Sequence, residues 1–284
     1  MGVEYNYKMH FMKRILLVCV NYNTYDYLSR FLDSIDASLK EVPKDELELS
    51  ICIADNSSQK QKIELSKYTD FNINVYILDN LGYFGGALFI INQFNNMSRF
   101  DFVIISNVDI LFKKNTLLEL IHAKIPQNVA WISPQRYSTK YNMVLKVEKK
   151  SRPSKLKMWL YLYMYKSALL KRIQHIYTFI KYKSRSKTFP EKEEEIYVGC
   201  GSCFILTKQF FNVYPQIHYP IFLYGEELFI AELVHKANMK TLYYPKIQIY
   251  NIGRVSTKNI DMKRFCQFNR EAIRYIYDNF YRNS

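Results

Sequence analysis

Apolar residues in this chain fall into short unbroken runs, and each run in the first half stops at side-chain oxygens. Ile15–Val20 ends in Asn21-Tyr22-Asn23-Thr24, and Leu49–Ala54 ends in Asp55-Asn56-Ser57-Ser58. Asn74–Leu78 ends in Asp79-Asn80-Leu81-Gly82, and Phe102–Ile105 in Ser106-Asn107-Val108-Asp109. Continuous runs of this length predict strands covered on both faces. Between them the period becomes helical. Tyr27, Leu28, Phe31, Leu32, Ile35 and Leu39 predict one helix, and the stretches from Phe84 to Asn95 and from Asn115 to His122 predict two more. Alternating strands and helices predict an α/β fold with a mostly parallel, doubly wound central sheet and helices on both faces. One polar ending is a turn. Four in succession make a polar rim at the carboxyl edge of the sheet, where open α/β sheets bind their ligands.

The second half is less regular. Val129–Ser133 and Ile196–Leu206 read as strands, with Gly199 and Gly201 allowing close approach. Tyr219–Tyr224 is an aromatic loop that leads through Gly225 into Glu226-Glu227 and a helix. Two carboxylates at a helix start favour the helix dipole, and an acidic pair after an aromatic loop also suits a general base. Thr241–Tyr244 and Ile247–Tyr250 read as two short strands, and Phe265–Phe280 as a closing helix. The glycines of Gly82-Tyr83-Phe84-Gly85-Gly86 fit neither the dinucleotide nor the phosphate-loop pattern; tight packing and direct ligand contact both remain open.

Charge changes the picture. The chain carries +14 in 284 residues, and the stretch from Lys149 to Lys187 holds 12 Lys/Arg with no Asp/Glu. The remainder is nearly balanced, at 28 basic against 26 acidic residues. Within the basic stretch, apolar positions from Leu156 to Ile180 recur every three or four residues, with Trp159, Tyr161, Tyr163 and Tyr165 on the shoulders. That predicts one or two amphipathic helices with a cationic face. An anionic membrane surface and packing on the same domain are both compatible with it. No nucleic-acid-binding module is visible. The expected layout is an α/β half at 12–148, a basic helical insertion at 149–190, and the second half of the same domain with its C-terminal helix at 191–284. The five scattered cysteines do not form a disulfide framework, and no run approaches the roughly 20 apolar residues of a membrane span. The expected location is the cytoplasm, peripheral to the inner face of the membrane if the basic stretch meets lipid.

Taken together, VNYNT (20–24), ADNSS (54–58), DNLGYFGG (79–86), SNVD (106–109), VGCGSCFIL (198–206) and FLYGEEL (222–228) resemble the inverting family 2 glycosyltransferases of GT-A fold, most of all bacterial rhamnosyltransferase-like members. The resemblance covers roughly 12–134 and 195–255. It implies that the segment Val20–Asn23, through Val20, Tyr22 and Asn23, forms a nucleotide pocket with Asp55, which accepts a hydrogen bond from the base. It implies that Asn80 and Gly82 line the nucleotide-sugar. Asn107 and Asp109 stand where the family's Asp-x-Asp meets a divalent cation, Mn2+ or Mg2+, on the diphosphate. Glu227 stands at the catalytic base, preceded by Glu226. The implied reaction moves a sugar from a UDP- or dTDP-linked donor to a saccharide acceptor, lipid-linked in surface polysaccharide, capsule or lipopolysaccharide synthesis. That places 12–148 on the donor side and 191–284 on the acceptor side.

The chain departs from the family at three places. Asn107 is neutral where an acid is usual, Glu227 replaces an Asp, and Tyr250-Asn251-Ile252-Gly253 lacks the family's His. Asn251 or Arg254 would then meet the phosphates. Two alternatives follow: a non-catalytic partner subunit that keeps nucleotide binding, and a basic nucleic-acid-binding protein.

Overall fold

In a computed structural model, residues 12–140, 142–145, 150–167, 192–253 and 260–282 are described. Arg254 and most of the basic stretch, including 168–191, lie outside the described residues.

The first apolar run forms β1 (Lys13–Asn21), flanked in parallel by β2 (Leu47–Asp55) and β4 (Phe102–Asn107). β3 (Asn72–Ile77) continues the parallel set as its edge strand. Successive side chains of β1 go to opposite faces, as a strand requires. Leu16, Val18 and Val20 join a core with α2 (Tyr83–Ile91), α5 (Lys208–Val213), α6 (Glu226–Lys236) and α7 (Met262–Phe280). Ile15, Leu17 and Cys19 join a second core with α1 (Tyr25–Leu39) and α3 (Thr116–His122). Each fully buried Leu, Ile or Phe contributes about 1.5–3 kcal/mol of hydrophobic stabilisation, and covering both faces explains why β1 reads as an unbroken apolar run.

Beyond β4 the sheet becomes mixed. Its order is β3-β2-β1-β4-β9-β6-β10-β5, where β9 (Cys203–Thr207) runs antiparallel between β4 and β6 (Val129–Ser138). β10 (Lys240–Asn251) is parallel to β6, and β5 (Ile110–Phe112) pairs antiparallel with its end. The short β7 (Met143–Val144) and β8 (Glu194–Ile196) add to β6 and β10.

Two strand expectations are corrected. Ile196–Leu206 is not one strand: β8 stops at Ile196 and β9 starts at Cys203, in different places in the sheet. The small residues Gly199, Gly201 and Ser202 occupy the break, where they favour a turn over a strand. Conversely, Thr241–Tyr244 and Ile247–Tyr250 belong to one strand, β10, whose register against β6 shifts between Tyr244 and Gln248. Pro245 lies in that shift, where a residue without an N–H is tolerated. Of the expected amphipathic helix from Leu156, the described part is α4 (Lys155–Met164), capped by Ser154, whose hydroxyl accepts from the Lys157 N–H at 3.3 Å.

The start of this insertion is fastened to the C-terminus. Arg152 donates from Nη2 to Glu232 Oε2 at 2.9 Å and to the Phe280 carbonyl at 2.9 Å. The Tyr281 hydroxyl donates to Glu232 Oε1, and Arg152 stacks 4.3 Å over the Tyr281 ring. Glu232 is 1% exposed, so these donors offset the cost of burying its charge.

Candidate functional site

Parallel pairing puts the strand endings side by side: Asn21 is in register with Asp55, and Val20 with Asn107. The expected polar rim is therefore a physical edge. Asn21, fully buried, organises it. Its Nδ2 donates to Asp55 Oδ1 and to Ser57 Oγ, both at 3.1 Å. Ser57 Oγ also accepts from the Asn23 N–H at 2.8 Å, and Asn23 Nδ2 donates to Ser58 Oγ at 2.9 Å. Asn21 lies within the Val20–Asn23 segment expected at the pocket, opposite Asp55 at the strand end.

Asp55 is 1% exposed. Besides Asn21, its Oδ1 accepts from the Ser57 N–H at 3.2 Å, and its Oδ2 accepts from the Tyr25 hydroxyl at 2.7 Å. In this structure Asp55 thus holds the rim loop in shape. Val20 also differs from a pocket-lining side chain. It lies in the core, so only its main chain reaches the rim. Tyr22 and Asn23 follow it on the edge, half-buried and exposed.

The next turn is joined to this rim by Asn56, whose Nδ2 donates to the Gly82 carbonyl at 2.8 Å. Asn80 Oδ1 accepts from the Gly82 N–H at 3.1 Å, shaping the turn from within. Gly82 has φ +76°, and a β-carbon there would lie 1.9 Å from the Phe222 carbonyl oxygen. Both the backbone and the space demand glycine. Phe222 belongs to the aromatic loop before the acidic pair. The turn at 79–82 and the loop at 219–225 are therefore in direct contact, though 140 residues separate Gly82 from Phe222.

Asn107 ends β4, and its N–H donates to the Ser202 carbonyl at 3.0 Å. The chain then turns through Val108 and Asp109 into β5. The Asp109 carbonyl accepts from the Ile252 N–H at 3.0 Å, so the segment 250–253 lies beside Asp109. Asn251 Oδ1 accepts from the Gly253 N–H at 2.9 Å, which occupies that oxygen in shaping the strand end.

Glu226 and Glu227 open α6 after a tight turn in which Tyr224 and Gly225 both have positive φ, +72° and +82°. The two carboxylates have different surroundings. Glu226 is buried and its Oε1 accepts from the Tyr224 N–H at 3.0 Å. Burial, then the adjacent Glu227 charge, push its carboxyl up to about 8. Glu227 is half-buried and reaches Gly201, where a β-carbon would lie 3.1 Å from its Oε2. Gly201 precedes the Ser202 whose carbonyl holds Asn107 at the end of β4, so one short loop meets both Glu227 and Asn107.

Tyr83 connects the parts. Its hydroxyl donates to the Ile105 carbonyl on β4 at 3.2 Å. Burial pushes that hydroxyl's pKa well up, with Cys203, Glu226, Cys200 and Asp109 adding to it. Asp109 and Glu226 are therefore both within electrostatic reach of one side chain. In the sequence Tyr83 has no signal beyond its place in the glycine-rich turn 82–86.

Three solved structures share this architecture. S. aureus TarS 1–349 in complex with UDP-GlcNAc matches with TM-score 0.55 and 13% identity, over 94% of this chain and 73% of that one. A second structure of S. aureus TarS 1–349 matches with TM-score 0.53 and 12% identity, over 96% and 74%. The mannosyltransferase PcManGT from Pyrobaculum calidifontis, in complex with GDP-Man and Mn2+, matches with TM-score 0.51 and 12% identity, over 87% and 59%. This chain has the fold of those glycosyltransferases. It spans 45% of a longer TarS structure. No family model matches the chain, and no curated protein matches its sequence.

The donor set for a metal is small. Among the described residues no group of three or more His, Cys, Asp and Glu could hold a cation. Asp109 offers a carboxylate and Asn107 an amide oxygen. That suits Mg2+ or Mn2+ held mainly by substrate phosphates and water, which is how such ions commonly bind.

Proposed function

We propose that the protein is an inverting glycosyltransferase that moves a sugar from a nucleotide-diphosphate donor to a saccharide acceptor. The observation that supports this most is the contact of Gly82 with Phe222. It brings the turn of the nucleotide rim against the loop that launches Glu226 and Glu227. Donor and base would then meet over one sheet edge.

The chain's own residues divide the work as follows. Asn21, Asp55 and Ser57 fix the loop that receives the nucleotide. Asn80 and Gly82 shape the wall along the sugar. A divalent cation on Asn107 and Asp109 would neutralise charge on the departing diphosphate. Such help is needed, because Asp109 and Glu227 already make this edge acidic. Glu227 takes the proton of the acceptor hydroxyl, which is a poor nucleophile until a carboxylate does so. Attack opposite the leaving group inverts the anomeric carbon. Glu226, buried and bound to the Tyr224 main chain, braces the turn and stays largely protonated near neutrality.

The acceptor in this reading is lipid-linked, with the protein peripheral to a membrane. Support comes from α4, where Leu156, Trp159, Leu160 and Tyr163 form one exposed apolar face beside Lys155, Lys157 and Lys166. Among the described residues no helix is long and apolar enough to cross a membrane.

The test is a thermal-shift screen of UDP, GDP and dTDP with and without Mn2+, followed by sugar release from the matching donor. Binding with turnover supports the enzyme. Binding without turnover supports a non-catalytic subunit, the reading favoured by neutral Asn107 and the engaged Asn251 oxygen. No nucleotide binding refutes both.

A further inference from the structure

A groove of about 380 Å3 lies between the end of α4 and the exposed face of α7, and none of its described lining residues belongs to the nucleotide rim. Lys263, Gln267, Arg270 and Arg274 recur every three or four residues on α7 and so share one face. Lys166 faces them from the end of α4, and Tyr165 with Cys266 lines the groove between the two helices. Of the described residues lining it, four are cationic and one, Glu271, is acidic; the Glu271 carboxylate accepts from Gln267 at 3.1 Å.

The groove is next to the candidate base. Phe265 of α7 packs edge-on against Tyr224 at 5.2 Å, and Phe268 lies 5.6 Å from Phe222. Tyr165, on the groove wall, is also 6.3 Å from Phe265. Burial, Tyr161, Cys266, Glu227 and Tyr224 together push the Tyr165 hydroxyl up to about 12, so the Glu227 carboxylate is within electrostatic reach of the groove.

We propose that this groove binds a phosphate-type anion carried by the acceptor, holding it while the acceptor's hydroxyl lies at Glu227. Two arginines one helical turn apart suit such a group, because each guanidinium presents a planar fork to phosphate oxygens. Two lysines add point charge at the rim. The groove shares no described lining residue with the Asp55–Gly82 rim, which leaves it to the second substrate. The acceptor assignment rests on the glycosyl-transfer reading; the anion site does not.

The test is calorimetric titration of pyrophosphate into the full chain, with saturating UDP present to fill any donor site. Wild type is compared with Arg270→Gln/Arg274→Gln and with Lys263→Gln, with melting temperature confirming each fold. The expected result is about a tenfold or greater loss of pyrophosphate affinity in the double variant, with UDP affinity unchanged. Pyrophosphate affinity equal in wild type and double variant, or no pyrophosphate binding in the presence of UDP, overturns the proposal. Absence of UDP, GDP and dTDP binding in wild type counts against the glycosyl-transfer reading alone, because the pyrophosphate comparison still stands. Phosphatidylglycerol vesicles, with phosphatidylcholine as the neutral control, separate two sources of the phosphate. Groove-dependent retention that pyrophosphate reverses assigns it to a lipid headgroup. Indifference to vesicles with intact pyrophosphate binding assigns it to a soluble phosphorylated acceptor.

Discussion

Glu227 Oε2 lies 3.1 Å from where a β-carbon on Gly201 would be, so the backbone of the 197–202 loop is a wall of the candidate base. Gly201 has no positive φ that would make alanine strained. Gly201→Ala should therefore shift Glu227 by a few tenths of an ångström with little loss of fold. The expected outcome is a fall in kcat of about tenfold to a hundredfold, with a melting temperature near wild type. Steady-state kinetics beside a thermal melt checks it.

Direct removal of the chemistry should cost more. Glu227→Gln keeps shape and removes the base, and Asp109→Ala removes the one carboxylate on the turn after β4. Each should lower donor-dependent transfer by about a hundredfold or more, with cooperative unfolding retained. Full turnover in either variant removes that residue from the mechanism.

The contact between Gly82 and Phe222 tests the architecture of the site. Gly82→Ala places a side chain at φ +76° and 1.9 Å from a main-chain oxygen. It should destabilise the protein by more than about 1 kcal/mol and weaken nucleotide binding as the rim moves away from the loop. Chemical denaturation and nucleotide titration report the two effects separately.

Glu226 predicts a pH dependence of stability. Its folded carboxyl is raised from the ordinary value of 4.5 to about 8, so the folded state holds the proton more tightly than the unfolded chain does. The resulting stabilisation is complete below pH 4.5 and is lost as pH rises through 8. Glu226→Gln removes that loss. Its melting temperature relative to wild type should rise from pH 5 to pH 9, and parallel profiles would show that Glu226 is not buried as described.

The Arg152–Glu232 pair predicts a stability effect far from the chemistry. Arg152→Ala leaves a carboxylate that is 1% exposed without its cation and should cost about 3 kcal/mol. Glu232→Gln, which keeps a neutral partner for Tyr281 and Arg152, should cost less. Urea denaturation of the two variants gives the comparison.

The first half of the fold was legible because its strands are covered on both faces. Burial writes Ile15–Val20 and Phe102–Ile105 as unbroken apolar runs, and parallel pairing brings their polar ends to one edge. β9 was harder to place. Its residues look like the continuation of Ile196, and only the tertiary fold shows that the chain leaves β10 and enters the sheet beside β4. Pro245 likewise divided one strand into two on paper, because a register shift has no local signature beyond the proline. Asp55 stood out by its motif, but the Asn21 amide and Tyr25 hydroxyl that enclose it come from the end of β1 and the start of α1, 34 and 30 residues earlier in the chain. Gly201 drew notice as a place of close approach, while its neighbour, Glu227, could be known only from coordinates.

The antiparallel placement of β9 also constrains how the protein is made. While the ribosome is still adding residues before 203, β4 and β6 have no strand between them, and both present unpaired edges. A nascent chain halted there carries the polar ends of β1, β2 and β4 but not the strand that seals the sheet. Such a fragment should self-associate through those edges, so residues 12–148 cannot be prepared alone by cutting the gene within the basic stretch.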